Sequence, residues 1–254
     1  MNTILLALSI LPVVLLMVFI YRQDKYQKEP IKSLAKAFVG GMIAIPLDLL
    51  LVSGLNMIVY SETIFYSAFL EAGFCEEFSK LLIFLIFIWR DKNFDEYMDG
   101  IVYATFIGLG FACVENIMYV FGAAGESFGS GIGTGIVRAL LSVPGHFLFG
   151  VVLGYFLSMA RFSKTKAEGI KYIIIGLLTA AVCHGLFDWL LMVSDALGEV
   201  IGAILYAAFL VGDFFLWKLG VKYIRKQQEN SRIQAENTQA DEYDQIDWNA
   251  GFKQ

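Results

Sequence analysis

Seven apolar stretches, each near the roughly 20 residues a helix needs to cross a hydrocarbon layer, constrain this chain more than any other feature. They run at about 3–20, 34–59, 64–89, 98–121, 135–160, 172–193 and 200–217. Hydrophobic residues make up 57% of the 254 positions and charged residues 17%, more apolar and less charged than an average soluble domain. The expected fold is therefore all-α, a polytopic membrane protein of about seven transmembrane helices. The first stretch is preceded only by Met1, Asn2 and Thr3, with no basic residue and no small-x-small cleavage site behind it, so a retained helix is expected rather than a signal peptide.

Basic residues fix the expected orientation. Arg22, Lys25, Lys28 and Lys32 follow the first stretch, Arg90 and Lys92 the third, Arg161, Lys164, Lys166 and Lys171 the fifth, and Lys218, Lys222, Arg225 and Lys226 the seventh. With seven spans all of these fall on one side, which places the N-terminus outside and the C-terminus in the cytoplasm. Residues 1–226 are expected to form the multi-span domain. Residues 227–254, polar, acidic and without apolar periodicity, are expected to be a disordered cytoplasmic tail. The Gly- and Ser-rich segment 122–135 is expected to be a mobile outer loop.

Several spans carry ionisable groups that such a setting penalises. The third contains Glu76-Glu77-Phe78-Ser79-Lys80 ahead of a pure apolar run. Glu76, Glu77 and Lys80 at mid-bilayer cost on the order of 8 to 10 kcal/mol, comparable to or above what the surrounding large apolar residues return. The charges therefore need partners from other helices. Residues three or four apart share a helical face, so Lys80 reaches either glutamate.

The fourth span offers Glu115 beside Asn116, the fifth Pro144-Gly145-His146, and the sixth His184-x-x-x-Asp188. His184 and Asp188, four apart, share one face, where the aspartate can fix the imidazole tautomer. Pro144 and Gly145 are expected to bend the fifth span. Counted from the outer ends at 1.5 Å per residue, these groups fall between mid-bilayer and the outer half, so four helices are expected to converge on one polar layer.

Other polar positions read as structural. Glu71 and Asp48 find no evident partner, and Asp99, Asp195, Glu199 and Arg138 sit near span ends where snorkelling is cheap. Cys75, Cys113 and Cys183 are odd in number, lie within spans and suit close helix packing. Neither GxSxG nor HExxH occurs, which disfavours a serine elbow or an ordinary zincin.

Glu76-Glu77-Phe78-Ser79-Lys80, Phe111-x-x-x-Glu115-Asn116, Gly145-His146 and His184-x-x-x-Asp188, in that order on consecutive spans over residues 1 to 220, resemble the PrsW family of bacterial intramembrane proteases. The family is distantly similar to CAAX prenyl endopeptidases, whose FxxxH and HxxxN motifs end here in Glu115 and Asp188, so CAAX-type substrate choice does not transfer. The resemblance implies a multi-pass protein of the bacterial cell membrane that makes the first (site-1) cut in a single-pass anti-sigma factor, after which a site-2 protease acts on the product. It carries over Glu76, Glu77 and His184 as essential; Glu115, Asn116, His146, Asp188 and Lys80 are added from their own positions.

The expected chemistry is a glutamate, Glu76 or Glu77, taking a proton from water that attacks a peptide carbonyl, with His184 positioning the water or stabilising the oxyanion. No cofactor is required by that route, although Glu76, Glu77, Glu115, His146 and His184 include a zinc-compatible donor set. The competing expectation is a proton-coupled or small-molecule transporter, since buried Glu, His and Lys also build proton relays. The expected partners are the lipid bilayer, the anti-sigma factor as substrate and the downstream site-2 protease that acts on the product; no nucleic acid is expected.

Overall fold

The computed structural model describes residues 2–251, and side chains of residues 2–238. All regular structure among the described residues is helical: α1 (Asn2–Gln23), α2 (Ile31–Ile58), α3 (Ile64–Tyr66), a π-helix (Ser67–Glu76), α4 (Glu77–Phe87), α5 (Tyr97–Ala124), α6 (Phe128–Leu140), α7 (Ser142–Arg161), α8 (Lys166–Ala196) and α9 (Glu199–Gly251). Six of these stretches are long and apolar enough to cross a membrane, with α6 and α7 counted together as one. The remaining expected span is a continuous helical segment of three pieces, α3, the π-helix and α4, with the irregular piece in its N-terminal half.

Local chemistry sets the boundaries. Thr63, Ser127 and Thr165 cap helices by accepting from the backbone N–H three residues on, and Glu96 and Asp99 form a reciprocal capping box at the start of α5. That helix is the hub, buried from Met98 to Cys113 and packed against α1, α2, α6 and α7. The approach is close because glycines line it: a Cβ on Gly41 or Gly110 would strike the facing backbone of α5 or α2, and one on Gly100 or Gly154 the facing backbone or side chain across the α5–α7 contact. Large apolar side chains point outward instead, among them Leu50, Met57, Ile86, Val200, Phe214 and Phe215, as a hydrocarbon solvent allows.

Three sequence expectations are corrected. Segment 122–135 is not a loop, because α5 runs to Ala124 and α6 begins at Phe128. Its glycines serve contact: Gly131 meets Ala124 and Gly135 meets Leu8 of α1 too closely to leave room for a Cβ without displacement. The break in the fifth span falls at Leu141, three residues before Pro144. Proline is tolerated in a first helical turn but clashes with the carbonyl four residues back in a helix interior, so α7 restarts at Ser142. Residues 227–238 are helical and docked: Gln227 donates to the Tyr155 carbonyl, Gln228 to the Gln23 carbonyl and Gln234 to the Asp95 carbonyl. Residues 252–254 of the expected tail lie outside the described residues.

Candidate active site

The polar residues of α4, the π-helix, α5, α7 and α8 meet in one cluster. The π-helix carries Glu76 at its last position and α4 opens with Glu77. A π-helix is rare and concentrates at functional sites; here its extra residue turns both carboxylates toward α8. Gly73 permits the approach, since a Cβ there would sit 2.6 Å from the Ala181 carbonyl oxygen and 3.0 Å from the backbone of Gly185.

Lys80, one turn further along α4, is 3% exposed and spends its ammonium on three partners. It lies 3.1 Å from Glu76 Oε2, 2.8 Å from Glu77 Oε1 and 3.2 Å from His146 Nδ1, with the Phe111 ring centroid 4.2 Å away. Because an ammonium only donates, His146 Nδ1 is an acceptor and its Nε2 carries the proton. That Nε2 donates to Glu115 Oε2 at 2.8 Å. Glu115 is held in turn by Arg138 at 2.9 Å, whose Nε donates to Asn116 Oδ1.

His184 of α8 has Nδ1 3.0 Å from Glu77 Oε1. Its Nε2 lies 3.4 Å from Asp188 Oδ2 and 3.9 Å from Glu76 Oε2. Phe149 stacks on the imidazole at 4.4 Å, which fixes the ring plane. One oxygen of this cluster, Glu77 Oε2, is buried without a hydrogen-bond partner.

Ligand atoms of Glu76, Glu77, His146 and His184 all lie within 4.8 Å of one another. Within that group Glu76 Oε2 is 4.0 Å from His146 Nδ1 and 3.9 Å from His184 Nε2. Two imidazoles and a carboxylate are the donor set of many catalytic zinc sites, and metal-ligating histidines usually donate their other N–H to a carboxylate or carbonyl. Glu115 does this for His146, and Glu77 stands where it does so for His184. The residues therefore fit a zinc ion.

Of the residues expected from sequence, Glu76, Glu77, Lys80, His146 and His184 come together, with Glu115 and Asp188 against the two imidazoles. Asn116 does not join them: its amide donates to the Ser9 carbonyl of α1 and its oxygen accepts from Arg138, so it braces helices behind Glu115. Arg138, read from sequence as a span-end residue, is the ion-pair partner of Glu115. Asp48 also faces this region, near enough to Lys80, Glu115 and His184 for electrostatic interaction. Glu71 has a partner after all, accepting from Asn56, which itself accepts from Tyr66.

The family profile described as PrsW family intramembrane metalloprotease matches residues 29–213. Protease PrsW of Clostridioides difficile (strain 630) is 34% identical over 232 residues, covering 90% of this chain and 93% of that protein. Protease PrsW of Bacillus subtilis (strain 168) is 32% identical over 234 residues, covering 91% and 98%. Protease PrsW of Geobacillus kaustophilus (strain HTA426) is 30% identical over 235 residues, covering 91% and 95%. No solved structure matches this chain.

Proposed function

Because this chain belongs to the PrsW family of intramembrane metalloproteases, and is thus a peptidase of the bacterial cell membrane, we propose that it makes the first cut in a single-pass anti-sigma factor. A site-2 protease would act on the product and free the sigma factor. The supporting observation is the group of Glu76, Glu77, His146 and His184 within the helix bundle, which the proposed orientation would set at the outer-half depth that an extracytoplasmic cut requires. That depth rests on seven spans, with Ile64–Phe87 crossing as the third and the N-terminus outside.

Glu76, His146 and His184 would hold the metal, His146 through Nδ1, which the Lys80 ammonium would release while keeping its contact with Glu77. When bound, zinc would supply Lewis-acid polarisation of a peptide carbonyl and a lowered pKa for water. The remaining tasks belong to side chains. Glu77, pinned through Oε1 by Lys80 and His184, has Oε2 free to take a proton from the attacking water and to return it to the leaving amine. Lys80 keeps the adjacent carboxylates in place by offsetting their repulsion. Glu77 and Glu115 fix the two ring orientations by accepting the N–H on the far side of each imidazole, the latter anchored by Arg138, while Asp188 lies on the Nε2 side of His184. This reading replaces the metal-free glutamate route expected from sequence, because both imidazoles have a carboxylate behind them and a second carboxylate between them.

The test is co-expression with single-pass anti-sigma factors from the source organism, comparing wild type with Glu76→Ala, Glu77→Ala and His184→Ala at matched membrane levels. A truncated product in wild type and its loss in all three variants is the expected result. No cleavage of any candidate by well-expressed wild type overturns the substrate assignment.

A further inference from the structure

A second set of buried carboxylates lies at the opposite end of α5 from Glu115, where the α1–α2 connection and the segment before α5 meet the last helix. Asp24 is fully buried, Glu29 is 3% exposed, Glu96 5% and Asp99 fully buried. Their donors are few. Asp24 Oδ2 accepts from the Glu29 backbone, Asp99 Oδ2 from the backbones of Asp95 and Glu96, and Glu29 from the Tyr103 hydroxyl. The nearest ammonium, Lys28, donates to the carbonyls of Tyr21 and Asp24 rather than to a carboxylate.

Two contacts make this arrangement untenable as bare anions. Asp24 and Glu96 lie within hydrogen-bonding reach of each other, as do Glu29 and Asp99. Yet Asp24 Oδ1, Glu96 Oε1 and Asp99 Oδ1 are buried with no donor. A buried acceptor without a partner costs about 1 to 3 kcal/mol, more when charged, so something positive is required. Beside Glu96 opens a cavity of about 390 Å³ lined by Gln27, Asp95, Glu96, Ser231 and Gln234. Gln234 Oε1 is a further buried acceptor without a donor, so two unsatisfied oxygens from different helices border one polar cavity.

We propose that this cavity binds a hard divalent cation, Mg²⁺ or Ca²⁺, through Glu96 with Asp24 and Asp95, and that the ion ties α9 to the loops beneath it through Gln234. Ligands that are all carboxylate and amide oxygen select hard cations over zinc. The last helix is already seated on the same rim, with Ser231 Oγ accepting from the Met98 backbone and Gln234 Nε2 donating to the Asp95 carbonyl. The ion completes that seat and removes the charge excess. Burial pushes Glu96 up to about 8, so a proton competes for the same carboxylate near neutrality and cation binding releases it.

The experiment is calorimetric titration of the full chain in detergent, stripped with EDTA, with MgCl₂ and CaCl₂ separately. Either ion, or both, is expected to bind once per chain with a Kd of about 10⁻⁵ to 10⁻³ M, more tightly at pH 8 than at pH 6 and with proton release. The relative affinities of the two titrations identify the ion. Glu96→Gln and Asp24→Asn are expected to weaken it at least about tenfold, and Gln234→Ala, a milder change on the last helix, by a smaller factor, while Glu76→Gln leaves it unchanged. Absence of saturable binding of either ion to folded wild type overturns the proposal and assigns the neutralising role to protons. Binding that survives both Glu96→Gln and Asp24→Asn overturns it as well.

Discussion

Lys80 donates to Glu77 across 2.8 Å with side chains 4% and 1% exposed, an ion pair shut inside the helix bundle. Removing one member of such a pair leaves an uncompensated charge, and that typically costs about 3 to 5 kcal/mol. Lys80→Met should therefore lower the unfolding temperature of the detergent-purified protein steeply. Adding Glu77→Gln to it should recover part of the loss, because the double variant leaves fewer buried charges unmatched. A double variant no more stable than Lys80→Met would show that the pair is not energetically coupled.

The two adjacent glutamates should separate cleanly. Glu76→Gln and His184→Asn are expected to weaken zinc binding at least about tenfold, read by zinc content after dialysis or by a cobalt(II) absorption spectrum. Glu77→Gln should retain most of the metal and lose about 10² to 10⁴ in kcat. A chelator should abolish cleavage by wild type, with zinc restoring it. Full activity in zinc-free enzyme would return the chemistry to the glutamates alone.

Gly73 sets the distance between the π-helix and α8. Alanine there would put a methyl group 2.6 Å from the Ala181 carbonyl oxygen, so the helices must separate and the Glu77–His184 contact opens. A displacement of about 1 Å costs on the order of 10² in rate. Gly73→Ala should lose activity by that order with protein still in the membrane, whereas Gly54→Ala, with nothing within 4 Å, should be silent in a cleavage assay.

The loop carboxylates predict how stability changes with pH. Burial raises Glu29 to about 7 and Glu96 to about 8 from an ordinary value of 4.5. For an acid with a raised folded pKa the folded state holds its proton longer. The associated stability is therefore fully present below about pH 4.5 and is lost as pH rises through 7 to 8. In EDTA, thermal unfolding should occur at progressively lower temperature between pH 6 and pH 9, and Glu96→Gln should flatten that slope. An unchanged slope in the variant would remove Glu96 from the account.

Much of the site was legible because charge inside an apolar span is expensive enough to demand a reason. Glu76, Glu77, Lys80, His146 and His184 stood out on that ground and lie together. Arg138 was missed because a cation near a span end normally snorkels to water; the signal was Glu115, a lone carboxylate that needed a cation. Helix α6 was hidden by its glycines, which read as loop unless the Ser127 cap is weighed against them. Asp24, Glu29 and Glu96 lie between helices, where acidic residues are ordinarily solvated, and no pattern in the chain announces that α9 will cover them. The π-helix has no sequence signature at all, because the hydrogen-bond register of Ser67–Glu76 is decided by packing against α8.

That register makes the segment tolerant of a change in length. A π-helix takes more residues into each turn than an α-helix, so removing one residue between Ser67 and Phe74 would let the ladder close as an ordinary α-helix with α4 kept in nearly the same phase. A regular helix has no such reserve. One residue fewer between Glu77 and Lys80 would leave the two only two positions apart, on different faces, and the ammonium would no longer reach that carboxylate. The irregular turn is thus where the chain can gain or lose a residue, and the first turn of α4 is where it cannot.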